Sequence, residues 1–213
     1  MIIGKGVSSM KRIICLMLAC VMVLCGCAAD TELRLADFLA DPEDGIHSYP
    51  FGIDIHVSDL SVLTAEHIAR LSGLEGRDLE DQLNREMDRG NAVAILSATD
   101  EDNTNMTMSL IRADRLPEPI LTAEGYADYT AEHMPEKLEA LECTNIQVNR
   151  TFAILGETEF PAVYVSCNFV DGSPYYLLQI CFCEGGWMGG LSLTSLESPI
   201  AIQELLNHVT TSE

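Results

Sequence analysis

Apolar and polar residues alternate along several short segments of the chain, a pattern typical of β-strands with one buried face. Strands are predicted at residues 51–57, 92–99, 104–113, 146–155, 162–170, 175–183 and 187–194. Turn-forming residues separate neighbouring segments, as in Asp100-Glu101-Asp102-Asn103 and Asp171-Gly172-Ser173-Pro174. The strands therefore follow one another as hairpins, which indicates an antiparallel sheet.

Apolar residues at helical spacing, flanked by capping residues, predict four helices. They cover residues 64–71, 78–89 with Gly90 as the C-terminal cap, 122–141, and 198–209 with Ser198-Pro199 at its start. Pro135 should kink or split the third helix, because proline donates no hydrogen bond to the preceding turn. Strands in hairpins and helices in blocks predict an α+β fold, a mainly antiparallel sheet with helices packed on it.

The hairpin of residues 162–183 allows a prediction of side-chain direction. With Val170 opposite Tyr175, one face carries Val163, Val165, Cys167, Phe169, Tyr176, Leu178, Ile180 and Phe182, and this is the predicted core face. The other face carries Tyr164, Ser166, Asn168, Gln179, Cys181 and Cys183. Cys167 is therefore expected to be buried beneath the helices, with no disulfide to Cys181 or Cys183.

The first 26 residues have the order of a secretion signal. Lys5, Lys11 and Arg12 precede an uncharged stretch from Ile13 to Leu24, and small residues follow. This stretch is shorter than the roughly 20 apolar residues of a membrane-spanning helix, which favours a cleaved signal. Translation could start at Met1 or at Met10, and either start leaves this prediction unchanged.

The segment Leu24-Cys25-Gly26-Cys27 resembles the bacterial lipobox, in which a cysteine becomes lipidated and begins the mature chain. Cys27 is the predicted lipidation site, since Cys20 and Cys25 follow less suitable residues. The resemblance implies an extracytoplasmic lipoprotein of the cell envelope, held at the bacterial membrane by lipid chains such as palmitate. Residues 27–46 are expected to form an acidic linker, with a short helical pattern at residues 35–39, and residues 47–213 a single domain.

The charge of the chain excludes one class of partner. Three of the 12 basic residues lie in the signal, so nine remain against 33 acidic ones, a formal net charge of −24. Lys137 is the only lysine left, and the basic residues do not cluster. Because nucleic-acid binding needs basic surface, we expect no nucleic-acid partner. The domain is expected to be a monomer.

No group of residues in the sequence indicates catalysis or a cofactor. Cys143, Cys167, Cys181 and Cys183 permit disulfides but lack the spacing of a zinc site. The turn at residues 100–103 offers oxygen ligands for Ca²⁺, yet it lacks the glycine and the bidentate acid of a calcium loop. The five histidines, His47, His56, His67, His133 and His208, form no metal-binding pair. Gly185-Gly186 and Gly189-Gly190 are interpreted as a tight turn and a bulge. We therefore predict no catalytic, cofactor or metal site.

The order of elements resembles that of the PsbP-like α/β/α sandwich over residues 47–210. Three segments carry the resemblance: Tyr49-Pro50-Phe51-Gly52-Ile53-Asp54-Ile55, Leu155-Gly156-Glu157-Thr158-Glu159-Phe160, and Ser198-Pro199. The resemblance implies a domain that binds other proteins without catalysis, and it supplies no binding residue that matches by position.

These observations favour a membrane-anchored binding domain with an unidentified envelope protein as its partner. Two alternatives stay open. One is an exported hydrolase whose site is assembled only in the fold. The other is a thiol redox or metal-binding module that uses the four cysteines beyond Cys27.

Overall fold

The computed structural model describes residues 33–39, 43–71, 78–100, 104–116 and 120–212. Seven strands form one antiparallel sheet in the order β3-β4-β5-β9-β8-β7-β6. They are β3 Ser61–Thr64, β4 Val93–Thr99, β5 Asn105–Arg112, β6 Thr144–Leu155, β7 Thr158–Asn168, β8 Pro174–Glu184 and β9 Trp187–Ser195. A smaller antiparallel sheet has the order β1-β2-β10, formed by β1 Ile46–Tyr49, β2 Ile53–His56 and β10 Val209–Thr211.

The described residues also form four α-helices: α1 Ala65–Leu71, α2 Leu79–Asp88, α3 Ala123–Ala140 and α4 Pro199–Leu206. The predicted caps of three are confirmed, because Asp78, Thr122 and Ser198 each accept a hydrogen bond from a backbone N–H of the first turn. Gly90 follows α2 with a φ of 82°, the left-handed conformation expected of a C-terminal cap. The α+β class, an antiparallel sheet with helices packed on it, is confirmed.

Both faces of the large sheet are buried. Helix α3 covers one face over β6, β7 and β8, and we call this the α3 face; its buried side chains include Val163, Val165 and Met188. The small sheet and α4 pack on the opposite face through Ile53, Ile55, Ile202 and Leu205, against Ile180, Phe182, Leu191 and Leu193. Two separate hydrophobic clusters therefore lie on either side of one sheet.

The predicted register of the β7–β8 hairpin is wrong. Asn168 pairs with Pro174, and a five-residue loop places Val170 at its exposed tip. Cys167 therefore lies opposite Tyr175, a shift of three residues that brings the odd-numbered residues of both strands to the same face. Cys181, Cys183 and Gln179 consequently lie on the α3 face with Cys167, while Tyr164 and Ser166 lie on the opposite face with Tyr176 and Leu178.

The predicted linker at residues 27–46 is corrected in its second half. The compact unit spans Leu33–Glu213, and a 3₁₀ helix at Leu35–Phe38 packs into the core of that unit. Leu35 and Phe38 are 2% and 3% exposed. Strand β1 begins at Ile46. The domain boundary predicted at residue 47 therefore lies too far along the chain.

The predicted end of the last helix and the predicted split at Pro135 also differ from the structure. Helix α4 ends at Leu206, and Val209 begins β10, which pairs with β2. Helix α3 continues through Pro135. It holds together because buried side chains attach it to the sheet on both sides of the proline, with Thr130 before it and Leu138 after it.

Candidate functional site

The cysteines singled out in the sequence lie together on the α3 face of the sheet. Cys143, Cys167 and Cys181 are buried and Cys183 is half-buried, and all four are free thiols. The predicted burial of Cys167 is confirmed. Burial raises the pKa of Cys167 to about 11, and a hydrogen bond with Cys143 adds to that effect. Burial likewise raises the pKa of Cys181. Because a thiolate is the reactive form, the Cys167 and Cys181 thiols are poor nucleophiles near neutral pH.

The histidines are dispersed, and their hydrogen bonds serve local structure. His56 and His208 connect β2 to the start of β10, since His208 Nδ1 lies 3.1 Å from the carbonyl oxygen of His56. The His67 ring contacts the Thr64 hydroxyl at 3.2 Å. His133 contacts the carbonyl oxygen of Tyr129 and stacks on the Tyr129 ring. Neither Glu66 nor Glu132 is a partner of the adjacent histidine in these contacts.

The glycine and turn motifs have structural explanations. Gly185 and Gly186 turn the chain between β8 and β9 with positive φ angles, as predicted. The bulge predicted at Gly189-Gly190 is wrong, because β9 pairs without interruption with both neighbours. A Cβ at Gly189 would lie 2.4 Å from the Phe51 ring, so this glycine makes room for core packing. Of the turn considered for Ca²⁺, residues 101–103 lie outside the described residues.

A cavity of about 230 Å³ lies between α3 and strands β5, β8 and β9. Ser109, Gln179 and Ser192 form its polar floor. The register makes them neighbours, because Gln179 pairs with Ser192 on β9 and Ser109 pairs with Gly190, two residues earlier on the same face of β9. The large sheet therefore presents hydroxyl and amide groups to α3 at this position, whereas it presents valine and cysteine under α3 farther toward β6.

Tyr126 and Gly190 shape the inner end of the cavity. The Tyr126 side chain is 8% exposed and is hydrogen-bonded to the side chain of Gln179. Burial raises the pKa of the Tyr126 phenol far above its ordinary value, so the hydroxyl keeps its proton. A Cβ at residue 190 would lie 3.0 Å from Nε2 of Gln179 and 3.5 Å from Oη of Tyr126. Glycine at this position thus lets both polar groups lie over β9.

The outer end of the cavity carries the basic groups. His133 and Lys137 of α3 both line it, together with the apolar side chains of Ile111, Leu116 and Met134. His133 Nδ1 lies 2.9 Å from the carbonyl oxygen of Tyr129. Since a carbonyl only accepts, Nδ1 carries the hydrogen, and Nε2 is the acceptor of the neutral ring.

Helix α3 separates its charges by face. Glu124, Asp128, Glu132 and Glu136 follow one another at four-residue spacing, so they share one stripe of the helix, and all four are exposed. Asp128 pairs with Arg150 of β6 at 2.9 Å. No carboxylate is among the described residues that line the cavity. The cavity is therefore a carboxylate-poor region of a strongly acidic protein.

Strand β6 provides a second candidate surface, because it is the edge strand of the large sheet. From Gln147 to Leu155 it pairs regularly with β7, and its other side has no strand partner among the described residues. Phe152 and Ile154, two positions apart and therefore on one face, are 57% and 63% exposed. Of the 12 residues of β6, only Arg150 is charged. We call this surface the β6 edge.

No family model matches the chain, and no curated protein matches its sequence. It is similar in structure to the solution structure of cyanobacterial PsbP (CyanoP) from Synechocystis sp. PCC 6803, with a TM-score of 0.45 and 8% sequence identity. The similarity covers 81% of this chain and 98% of that chain, and it concerns the fold alone.

Neither a metal cluster nor a spanning helix is found in the described part of the chain. There, no group of three or more histidine, cysteine or acidic side chains could hold a metal ion. No described helix is both long enough and apolar enough to cross a bilayer. The predicted lipidation site, Cys27, lies outside the described residues.

The spacing of residues along α3 is a sequence feature that indicates the cavity, and it was not recognised from the sequence alone. Tyr126, Thr130, His133 and Lys137 recur at spacings of three or four residues, so they share a helical face. The acidic residues of the same helix follow a different stripe. Two interleaved stripes of different chemistry indicate that the carboxylate-free side of α3 faces something other than bulk water.

Proposed function

We propose that this chain is an exported lipoprotein, anchored to the bacterial membrane through Cys27, whose domain binds an envelope protein without catalysis. The anchor is supported by the signal-like order of residues 1–26 and by the lipobox resemblance of Leu24-Cys25-Gly26-Cys27. A non-catalytic role is supported by the use of the described histidines and buried cysteines in local hydrogen bonds and packing.

The β6 edge carries the proposal of a protein partner. An unpaired edge strand can accept another strand, and natural proteins usually protect such edges with charged residues, proline or a bulge. The one bulge in the β6–β7 pairing lies near Asn145, which leaves Gln147–Leu155 regular and free of proline, lysine and carboxylates. This is an unusually neutral surface in a chain with 33 acidic residues.

The geometry of the β6 edge indicates the kind of partner. An extended peptide would add its backbone hydrogen bonds along residues 147–155 as an eighth strand of the large sheet. Alternate apolar side chains of such a peptide would lie beside Phe152 and Ile154. The partner we propose is therefore an extended, weakly charged segment of an envelope protein, with apolar residues at every second position.

Site-specific crosslinking in cells tests this proposal. A photoreactive residue placed at position 154 should give one defined product with another protein, identified by mass, whereas the same residue at Ile200 should not. Ile200 is a matched control, because it is 69% exposed and lies on α4. Phe152→Lys should remove the product at position 154, and Ile200→Lys should leave it unchanged.

Three outcomes would contradict the proposal. Equal labelling at positions 154 and 200 would show that β6 has no special affinity, and so would the absence of any product at position 154. A product of twice the mass of the chain would show that the β6 edge joins two copies of this protein rather than a different partner.

A further inference from the structure

The cavity between α3 and the sheet plays no part in partner binding at the β6 edge. The chain is strongly acidic, with 33 acidic residues among 213. In contrast, none of the described residues that line the cavity is acidic. The stripe of Glu124, Asp128, Glu132 and Glu136 lies on a different side of the same helix. Helix α3 thus presents its basic and hydroxyl groups to the cavity and its acids elsewhere.

Lys137 supplies the charge of this site. It is the only lysine beyond the predicted signal, and no described carboxylate forms an ion pair with it. Its side chain is exposed and lines both this cavity and a more open depression beside α2. A cation at the mouth of a carboxylate-poor cavity favours an anionic ligand over a cationic one.

We propose that this cavity binds a small organic carboxylate, with the charged group held at Lys137 and the apolar part inside the cavity. Ile111, Leu116 and Met134 provide apolar contacts. The hydroxyl and amide groups of Ser109, Ser192 and Gln179 provide neutral hydrogen-bonding groups at the floor. Together they match a molecule with one anionic end and a compact body.

The volume of the cavity limits the size of the ligand. An apolar cavity of about 150 Å³ accommodates benzene, so a cavity of about 230 Å³ has room for about nine non-hydrogen atoms. This range includes aromatic and short branched monocarboxylates. It excludes nucleotides, oligosaccharides and peptides of several residues from complete enclosure.

The test uses benzoate, a carboxylate of this size, with benzamide and benzylamine as neutral and cationic molecules of nearly the same shape. Calorimetric titration of the full chain in detergent should show benzoate binding more tightly than benzamide, and benzylamine binding least. Lys137→Gln should weaken benzoate binding by about fivefold or more and leave benzamide unaffected, because only the carboxylate interacts with the ammonium group.

Arg85→Gln is the matched control, since it removes one positive charge from an exposed position that lines neither cavity. This variant should bind benzoate with an affinity within about twofold of that of the parent protein. Ser192→Leu fills the cavity floor and should weaken the binding of both benzoate and benzamide. The proposal is overturned if benzoate does not bind, if benzamide or benzylamine binds as tightly as benzoate, or if both charge variants weaken benzoate equally. None of these results depends on the β6 edge.

Discussion

Nε1 of the Trp187 indole donates a hydrogen bond to the carbonyl oxygen of Leu33, at 2.9 Å. The ring of Phe38 lies between the rings of Trp187 and Phe51, at centroid distances of 5.3 and 5.2 Å. Aromatic pairs at such distances add to the stabilisation from burial alone. The segment of residues 33–38 is therefore attached to the core by one partly buried hydrogen bond and by two buried side chains, Leu35 and Phe38.

Removal of this segment should destabilise the domain. A chain that begins at residue 43 loses the burial of Leu35 and Phe38, about 1.5–3 kcal/mol for each, and leaves the indole N–H of Trp187 without its acceptor. We expect its free energy of unfolding to be about 3–6 kcal/mol below that of a chain that begins at residue 33. Urea unfolding followed by circular dichroism measures the difference. Equal midpoints would show that residues 33–39 contribute nothing to stability.

The alternation of apolar residues was sufficient to predict most strands, yet it could not determine the register of β7 and β8. On an ordinary half-exposed sheet, one face of each strand is polar, and a shift by one residue is recognisable. Here Val163 and Val165 are buried under α3, while Ala162 and Ile180 are buried on the opposite face. Because both faces are apolar, the wrong register also gave an acceptable core face.

The small sheet and the cavity depend on contacts between distant parts of the chain. Val209 continues the apolar pattern of α4, so the sequence predicts a longer helix, but pairing with Ile55 of β2 places it in a strand. The cavity similarly joins Lys137 to Ser192 and Gln179 across elements that are far apart in sequence. Each helix and strand is predicted from local spacing, whereas these neighbours are determined by the order of the strands.

Gln82 of α2 should limit the stability of the domain. Its side chain is 4% exposed, and neither its Nε2 nor its Oε1 has a hydrogen-bond partner among the residues that the structure describes. A buried polar group without a partner costs about 1–3 kcal/mol, so the nearly isosteric Gln82→Met should stabilise the fold by about that amount. Asn84→Met, on a less buried position of the same helix, is the control and should change stability by less than about 0.5 kcal/mol. A loss of stability in Gln82→Met would indicate that the amide has a polar partner in solution.

Membrane retention should depend on Cys27 alone among the cysteines near the predicted cleavage site. Lipid on this residue is the proposed anchor, so Cys27→Ser should release the domain into the soluble extracytoplasmic fraction. Cys20→Ser and Cys25→Ser should leave it with the membrane. Cell fractionation with metabolic labelling by a palmitate analogue measures both location and lipid. Membrane-bound, labelled Cys27→Ser protein would refute the assignment.

The burial of Cys181 should make the domain sensitive to alkaline pH. Its side chain is 0% exposed, and burial raises its pKa to about 12 despite the opposing effects of Arg150 and of a hydrogen bond with Thr130. In the unfolded chain the thiol has its ordinary pKa near 9. Between pH 9 and pH 12 the folded state binds more protons at this thiol than the unfolded chain does. The free energy of unfolding is therefore unaffected by this thiol below about pH 8 and falls as the pH rises above that value.

From pH 8 to pH 10, this one thiol should lower the free energy of unfolding by about 1.4 kcal/mol, because pH 10 is one unit above the unfolded pKa and each such unit contributes about 1.4 kcal/mol. Cys181→Ala removes the titrating group and leaves a small cavity, whose cost is the same at every pH. The variant should therefore have a lower free energy of unfolding than the parent at pH 8. The difference between the two free energies should be smaller at pH 10, because only the parent loses stability at this thiol. Urea unfolding of both proteins under reducing conditions at the two pH values measures this change. A difference that stays constant from pH 8 to pH 10 would mean that Cys181 ionises as readily in the folded domain as in the unfolded chain.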